Sequence, residues 1–191
     1  MRVLRRGFTL IEIMVVVAIL SILVIASLPT FRNFFITSRL RQGCYDVMSA
    51  LRSAREAAIT KPTPPDEEFY NMAVFYTDYQ ALWSAVEVYN IAEGSIGGWK
   101  RLPPRIIIEN LEDPSKWELQ GLDTQNNLAK PGESTYNSSL PVVKFNRKGE
   151  ARNNAIIVLK DLSKGYTAQI KVLHSTGRVR IKEFRGVVIE E

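Results

Sequence analysis

From Phe8 to Leu28 the chain reads FTLIEIMVVVAILSILVIASL, 21 residues interrupted by a single charge, Glu12. As a helix rising about 1.5 Å per residue, this run is about 31 Å long, close to the hydrocarbon thickness of a bilayer. Arg2, Arg5 and Arg6 precede it without any acid among residues 1–7. That bias favours a cytoplasmic N-terminus with the rest of the chain sent outward. Glu12 is the difficulty: a carboxylate this far into an apolar run costs several kcal/mol unless it is neutralised or paired. A secretory signal, with Val24-Ile25-Ala26 as its cleavage site, explains the basic start but not the length or the acid. A plain membrane anchor explains the length and leaves Glu12 without a purpose.

Arg5-Arg6-Gly7-Phe8-Thr9-Leu10-Ile11-Glu12 resembles the class III signal of type IV prepilins, in which a short basic leader ends in Gly and is followed by Phe and then an acid. The resemblance implies cleavage after Gly7 by a prepilin peptidase and N-methylation of the new terminus, Phe8. A residue without a side chain before the cut lets a peptidase approach the bond closely. It also implies a filament in which Glu12 of one subunit neutralises the terminal amine of its neighbour, so that two costly charges become one pair with a fixed axial register. Pro29 falls where type IV pilins commonly carry a helix-distorting proline, and a kink is expected there. The implied partners are other pilin or pseudopilin subunits, the prepilin peptidase and the inner membrane. The implied location is the bacterial inner membrane, crossed once with the C-terminal domain periplasmic, and then a pilus or pseudopilus filament.

The resulting division is a leader at 1–7, an apolar membrane-spanning and filament-core helix at 8–28, an amphipathic continuation at 29–61 and a β-rich head at 62–191. In the continuation, Leu40, Cys44, Val47, Leu51, Ala54 and Ala58 recur at steps of four and three and form an apolar stripe. Arg52, Arg55 and Glu56 lie off it. Cys44 on that stripe reads as a small buried hydrophobe, and Pro62, Pro64 and Pro65 end the helix. Strands are expected at 72–77, 82–89, 105–109, 142–146, 155–160, 167–173, 179–182 and 187–190, where Val, Ile, Tyr and Phe are dense between turn residues. Residues 90–100 and 120–140 read as long loops. The fold class is α+β, a long N-terminal helix packed on an antiparallel sheet domain.

Phe145-Asn146-Arg147-Lys148-Gly149, and Ser175-Thr176-Gly177-Arg178-Val179-Arg180 near the end, resemble the GspH/FimT group of minor pilins and type II secretion minor pseudopilins. Charge adds to this. Residues 62–140 hold five basic and twelve acidic side chains, whereas residues 141–191 hold eleven basic and five acidic. Such asymmetry suits an anionic partner or complementary subunit contacts. On a strand, Arg178, Arg180 and Lys182 share one face, about 6.6–6.8 Å apart, and Lys171 and Arg185 extend the patch. The stretch from Gly177 resembles the GRxR motif through which FimT-type minor pilins bind DNA for uptake, without sequence preference. An edge strand guarded by charge explains the same residues. The function expected is therefore a minor pilin at or near a filament tip, helping to start assembly and binding DNA; a type II secretion pseudopilin acting in protein export is the alternative.

Catalysis is not indicated. The chain has no GxxxxGK[ST], HExxH, CxxC or GxSxG motif. His174 beside Ser175 is read as a surface or hydrogen-bonding residue, because neighbours on a strand point to opposite faces. One His and one Cys are too few for a conventional zinc site, and no metal or cofactor is expected.

Overall fold

The computed structural model describes residues 9–61, 68–135 and 137–185, so Gly7, Phe8, the proline run and the strand expected at 187–190 lie outside them. Helix α1 spans Leu10–Thr60, and the chain divides into two compact units, residues 1–36 and 37–191. In the first unit, Leu10–Ser27 has a mean hydropathy of 2.8 and none of it is buried. Apolar side chains exposed all round a helix belong in an apolar surrounding, and this segment is long and apolar enough to cross a membrane. Pro29 lies within α1, but its side chain, and with it the expected kink, is outside the described residues.

The second unit is built on the stripe. Leu40, Cys44, Val47, Leu51, Ala54 and Ala58 are all buried, and they share one core with residues from two antiparallel sheets. The first sheet comprises β1 (Phe69–Asp78), β2 (Trp83–Asn90), β3 (Gly94–Arg101), β5 (Asp123–Leu128) and β6 (Ser138–Asn146), in the order β3-β2-β1-β6-β5. The second comprises β4 (Ile106–Ile108), β7 (Ala155–Asp161), β8 (Thr167–Val172) and β9 (Val179–Arg185), in the order β4-β7-β8-β9. Burial alternates residue by residue along β7 and β8, as expected of a sheet covered on one face. Along β1, in contrast, successive residues Met72, Ala73, Val74 and Phe75 are all buried. Ala73 and Phe75 join the helix-side core, while Met72 and Val74 join a smaller cluster with Leu128, Leu140 and Val142 on the other face. The first sheet is thus covered on both sides.

A polar seam joins the sheets. Ser84 Oγ accepts the Ile108 N–H at 2.9 Å and lies 2.6 Å from Thr77 Oγ1. The Tyr79 hydroxyl donates to the Ile108 carbonyl at 3.1 Å and accepts from the Leu111 N–H at 3.0 Å. The Ile108 N–H and carbonyl and the Leu111 N–H are thereby satisfied by side chains of the first sheet and the turn that follows β1, as buried backbone groups require.

Several elements differ from the sequence reading. The loops expected at 90–100 and 120–140 contain β3, β5 and the start of β6. A short helix, α2 (Pro114–Leu119), is additional; Asp113 caps it by accepting from the Ser115 N–H, with Pro114 at its first position. His174 is not on a strand but in a 3-10 turn, His174–Thr176. Its ring Nδ1 meets the Ala151 carbonyl, an arrangement that places the proton on Nδ1, and its carbonyl accepts the Ala151 N–H at 3.0 Å. As the sequence suggests, its role is hydrogen bonding.

Candidate functional site

At the membrane-segment end, Glu12 sits in the first turn of α1. Its N–H donates to the Thr9 carbonyl at 3.1 Å and lies 3.3 Å from Thr9 Oγ1. Thr followed three residues later by Glu is the spacing of a helix capping box. An acid in the first turn also opposes the positive end of the helix dipole. Glu12 thus has a local reason to be where it is in addition to any partner, and the Thr9-x-x-Glu12 spacing was the readable signal for it.

The second candidate lies where β8 turns into β9. Gly177 caps the 3-10 turn in the left-handed region, at φ 58°. A Cβ there would fall 1.9 Å from the Gly149 carbonyl oxygen and 3.1 Å from Arg55 Nε. The same carbonyl accepts a hydrogen bond from Arg55 Nε at 3.0 Å. The turn, the 149 loop and the helix therefore meet at one point that only glycine fits. Arg178 follows, and its carbonyl accepts the Leu173 N–H at 3.0 Å as β8 and β9 begin to pair.

Within β9, Val179 lies opposite Val172 and Ile181 opposite Ile170, both facing the core side, while Arg180 lies opposite Lys171 on the outer face. Ile170 pairs with Ile181 but Gln169 pairs with Glu183, so a bulge falls at Lys182. The bulge breaks the alternation that put Lys182 in line with Arg178 and Arg180. Lys182 is exposed nonetheless, and the Arg185 side chain is outside the described residues. Two cations directly opposite each other on a sheet destabilise it. Among the described residues, no carboxylate pairs with Lys171, Arg178, Arg180 or Lys182. Among the described residues β9 is also the outer strand of its sheet, with no strand on its far edge.

The structure adds two residues that sequence spacing did not connect to this patch. Arg52 and Arg55 of α1 line a cleft of about 440 Å³ with Gly177 and Arg178, and among the described residues Glu56 is the one acid on its wall. Arg55 is anchored through Nε to Gly149, so its position is fixed by the backbone it holds. The sequence shows only that Arg52 and Arg55 lie off the apolar stripe; which part of the sheet their helix face meets depends on the tertiary fold. Cys44, by comparison, is wholly buried, and burial pushes its thiol up to about 12, which makes it inert packing rather than a nucleophile.

Residues 2–28 match the prokaryotic N-terminal methylation motif. Over 72 residues the chain is 35% identical to two fimbrial proteins of Pseudomonas aeruginosa, a match that takes in 34% of this chain and 46% of theirs. The chain thus spans about half the length of these curated relatives. No solved structure matches it. The motif and the partial relatives support a resemblance to type IV pilins, with which the apolar helix and the α+β head are consistent.

Gly177→Ala is expected to lower the thermal stability of the detergent-solubilised chain by more than the about 1–3 kcal/mol of left-handed strain alone, because its methyl group also collides with the Gly149 carbonyl. Gly97→Ala is the control: its φ is +88° but a Cβ there meets nothing within 4 Å. Thermal unfolding of both variants checks this, and equal losses would mean that the contact at Gly177 relaxes freely.

Proposed function

We propose that the chain is a minor pilin of the GspH/FimT kind, cut after Gly7, methylated on Phe8 and assembled at or near the tip of a pilus-type filament. The observation that carries this reading is the methylation motif running directly into an unburied apolar helix with Glu12 in its first turn. Before assembly the helix lies in the inner membrane with the head in the periplasm. During assembly, the amine created on Phe8 is neutralised by Glu12 of an adjoining subunit. The attraction is strong because both charges sit in an apolar medium, and desolvation makes any other register costly. Pro29 lets the helix bend where it leaves its neighbours.

The head contributes a cationic surface, and its proposed ligand is the phosphate backbone of DNA during uptake. Lys171 against Arg180, with Arg178 beside the cleft that Arg52 and Arg55 line, supports this. Such a patch holds phosphates without reading bases, so binding is indifferent to sequence and falls steeply with salt. Gly177 shapes the turn, while Lys182 and Arg185 extend the charge along β9.

Two measurements test these roles. Glu12→Leu makes the apolar segment more apolar and removes the partner of the neighbour's amine. Normal membrane insertion with loss from sheared filaments is expected on immunoblots; unchanged incorporation would remove the registering role. Secondly, the full chain in uncharged detergent should bind duplex DNA at low salt. The Arg178→Ala, Arg180→Ala double variant should bind more weakly, with a salt slope reduced by about 2. Equal binding by the variant, or none by the parent, would leave the arginines as guards of the β9 edge, the role they would have in a type II secretion pseudopilin.

A further inference from the structure

The first sheet carries a second candidate site on the face turned away from α1. Glu87 lies opposite Val74 in the β1–β2 pair and so shares a face with the smaller apolar cluster. It is only 7% exposed. The Ser95 hydroxyl donates to its Oε1, and among the described residues no cation pairs with it. A carboxylate removed from water with one neutral partner is expensive to keep ionised. Its acidity reflects this, with burial pushing it above the ordinary carboxylate range while the Ser95 hydrogen bond pulls it down.

Glu87 opens into a cavity of about 250 Å³ whose wall includes Tyr89, Trp99, Lys130 and Glu133. Trp99 is held edge-on by Tyr76, with ring centres 6.2 Å apart, and Tyr76 in turn packs on Trp83 at 5.3 Å. Burial, and then the negative charges of Asp78 and Glu133, push the Tyr76 hydroxyl up. With Glu87, Glu133 and Lys130 ionised, the wall carries a net single negative charge.

We infer that this cavity binds a small organic ammonium group, with Glu87 as its counter-ion and the Trp99 and Tyr89 rings as its walls. An anion would meet two carboxylates, and a neutral apolar ligand would leave Glu87 unpaired. A cation instead satisfies the carboxylate and the electron-rich ring faces together. Pockets for drug-sized ligands run to about 300–1,000 Å³, so this one suits a single short amine or a lysyl side chain rather than a nucleotide or a polymer.

The test uses the full chain in uncharged detergent, titrated with n-butylammonium, which has the reach of a lysyl side chain, or with choline, a quaternary headgroup. Sodium chloride at matched ionic strength is the control. A saturable change in tryptophan emission and a rise in melting temperature with either amine, absent with sodium, are expected. Response to butylammonium alone points to a protein lysine as the natural source, and response to choline alone to a headgroup. Glu87→Gln should weaken the constant at least tenfold. Trp99→Leu is a second reporter that leaves Glu87 intact and should weaken it several-fold. Affinity should also fall as the pH drops through the raised value of Glu87. No saturable response to either amine, or full affinity in Glu87→Gln, would overturn the assignment and leave Glu87 as a structural partner of Ser95.

Discussion

The structure depends on one helix whose two parts demand different surroundings. Residues 10–27 of α1 are apolar on every side and unburied, whereas from Leu40 to Ala58 a single stripe is sealed into the head. Burying a Leu or Val side chain stabilises by about 1.5–3 kcal/mol. The stripe is therefore a main organiser of the helix-side core, and both sheets contribute residues to the same cluster. Closeness matters as much as area. A Cβ at Gly43 would come within 3.1 Å of Ile106 and 3.2 Å of Leu159, so the helix backbone sits directly against β4 and β7. At the exposed rim the contact is electrostatic: Asp46, buried on the helix, meets Lys100 of β3 at 2.7 Å.

Much of this was legible because the signals were local. The four-and-three spacing of the stripe follows from helix geometry, β7 from its dense Ile, Val and Leu, and β8 and β9 from the alternation of Ile170 with Val172 and of Val179 with Ile181. β3 and β5 were not legible. Gly94, Gly97 and Gly98, or Gln125, Asn126 and Asn127, have the composition of turns, and they become strands only because β2 and β6 offer unpaired edges. α2 was readable from Asp113-Pro114, but its few residues carry too little periodicity to stand out. At the basic patch, Arg178 and Arg180 followed from alternation. The bulge at Lys182 and the arrival of Arg52 and Arg55 are tertiary outcomes that no spacing along the chain encodes.

The head carries one charged candidate site on each sheet. The second sheet carries a cationic face at β8–β9, where Lys171 and Arg180 oppose each other. On the first, Glu87 lies beside Tyr89 and Trp99, with Lys130 and Glu133 of the loop between β5 and β6 on the same cavity wall. The net charge of +5 describes neither surface. Each arrangement costs stability in isolation, by repulsion in one case and desolvation in the other, and a ligand of opposite sign would relieve each cost. The two proposed ligands, a polyanion and an ammonium group, are therefore independent of one another.

Central to this account is that the N-terminal segment is processed for a filament rather than kept as an anchor or discarded as a signal. Intact-mass spectrometry of the chain, purified from membranes of cells that express a prepilin peptidase, tests this directly. The account predicts a polypeptide that begins at Phe8 and carries one added methyl group. A chain that still begins at Met1, or one that begins after Ala26, would contradict it.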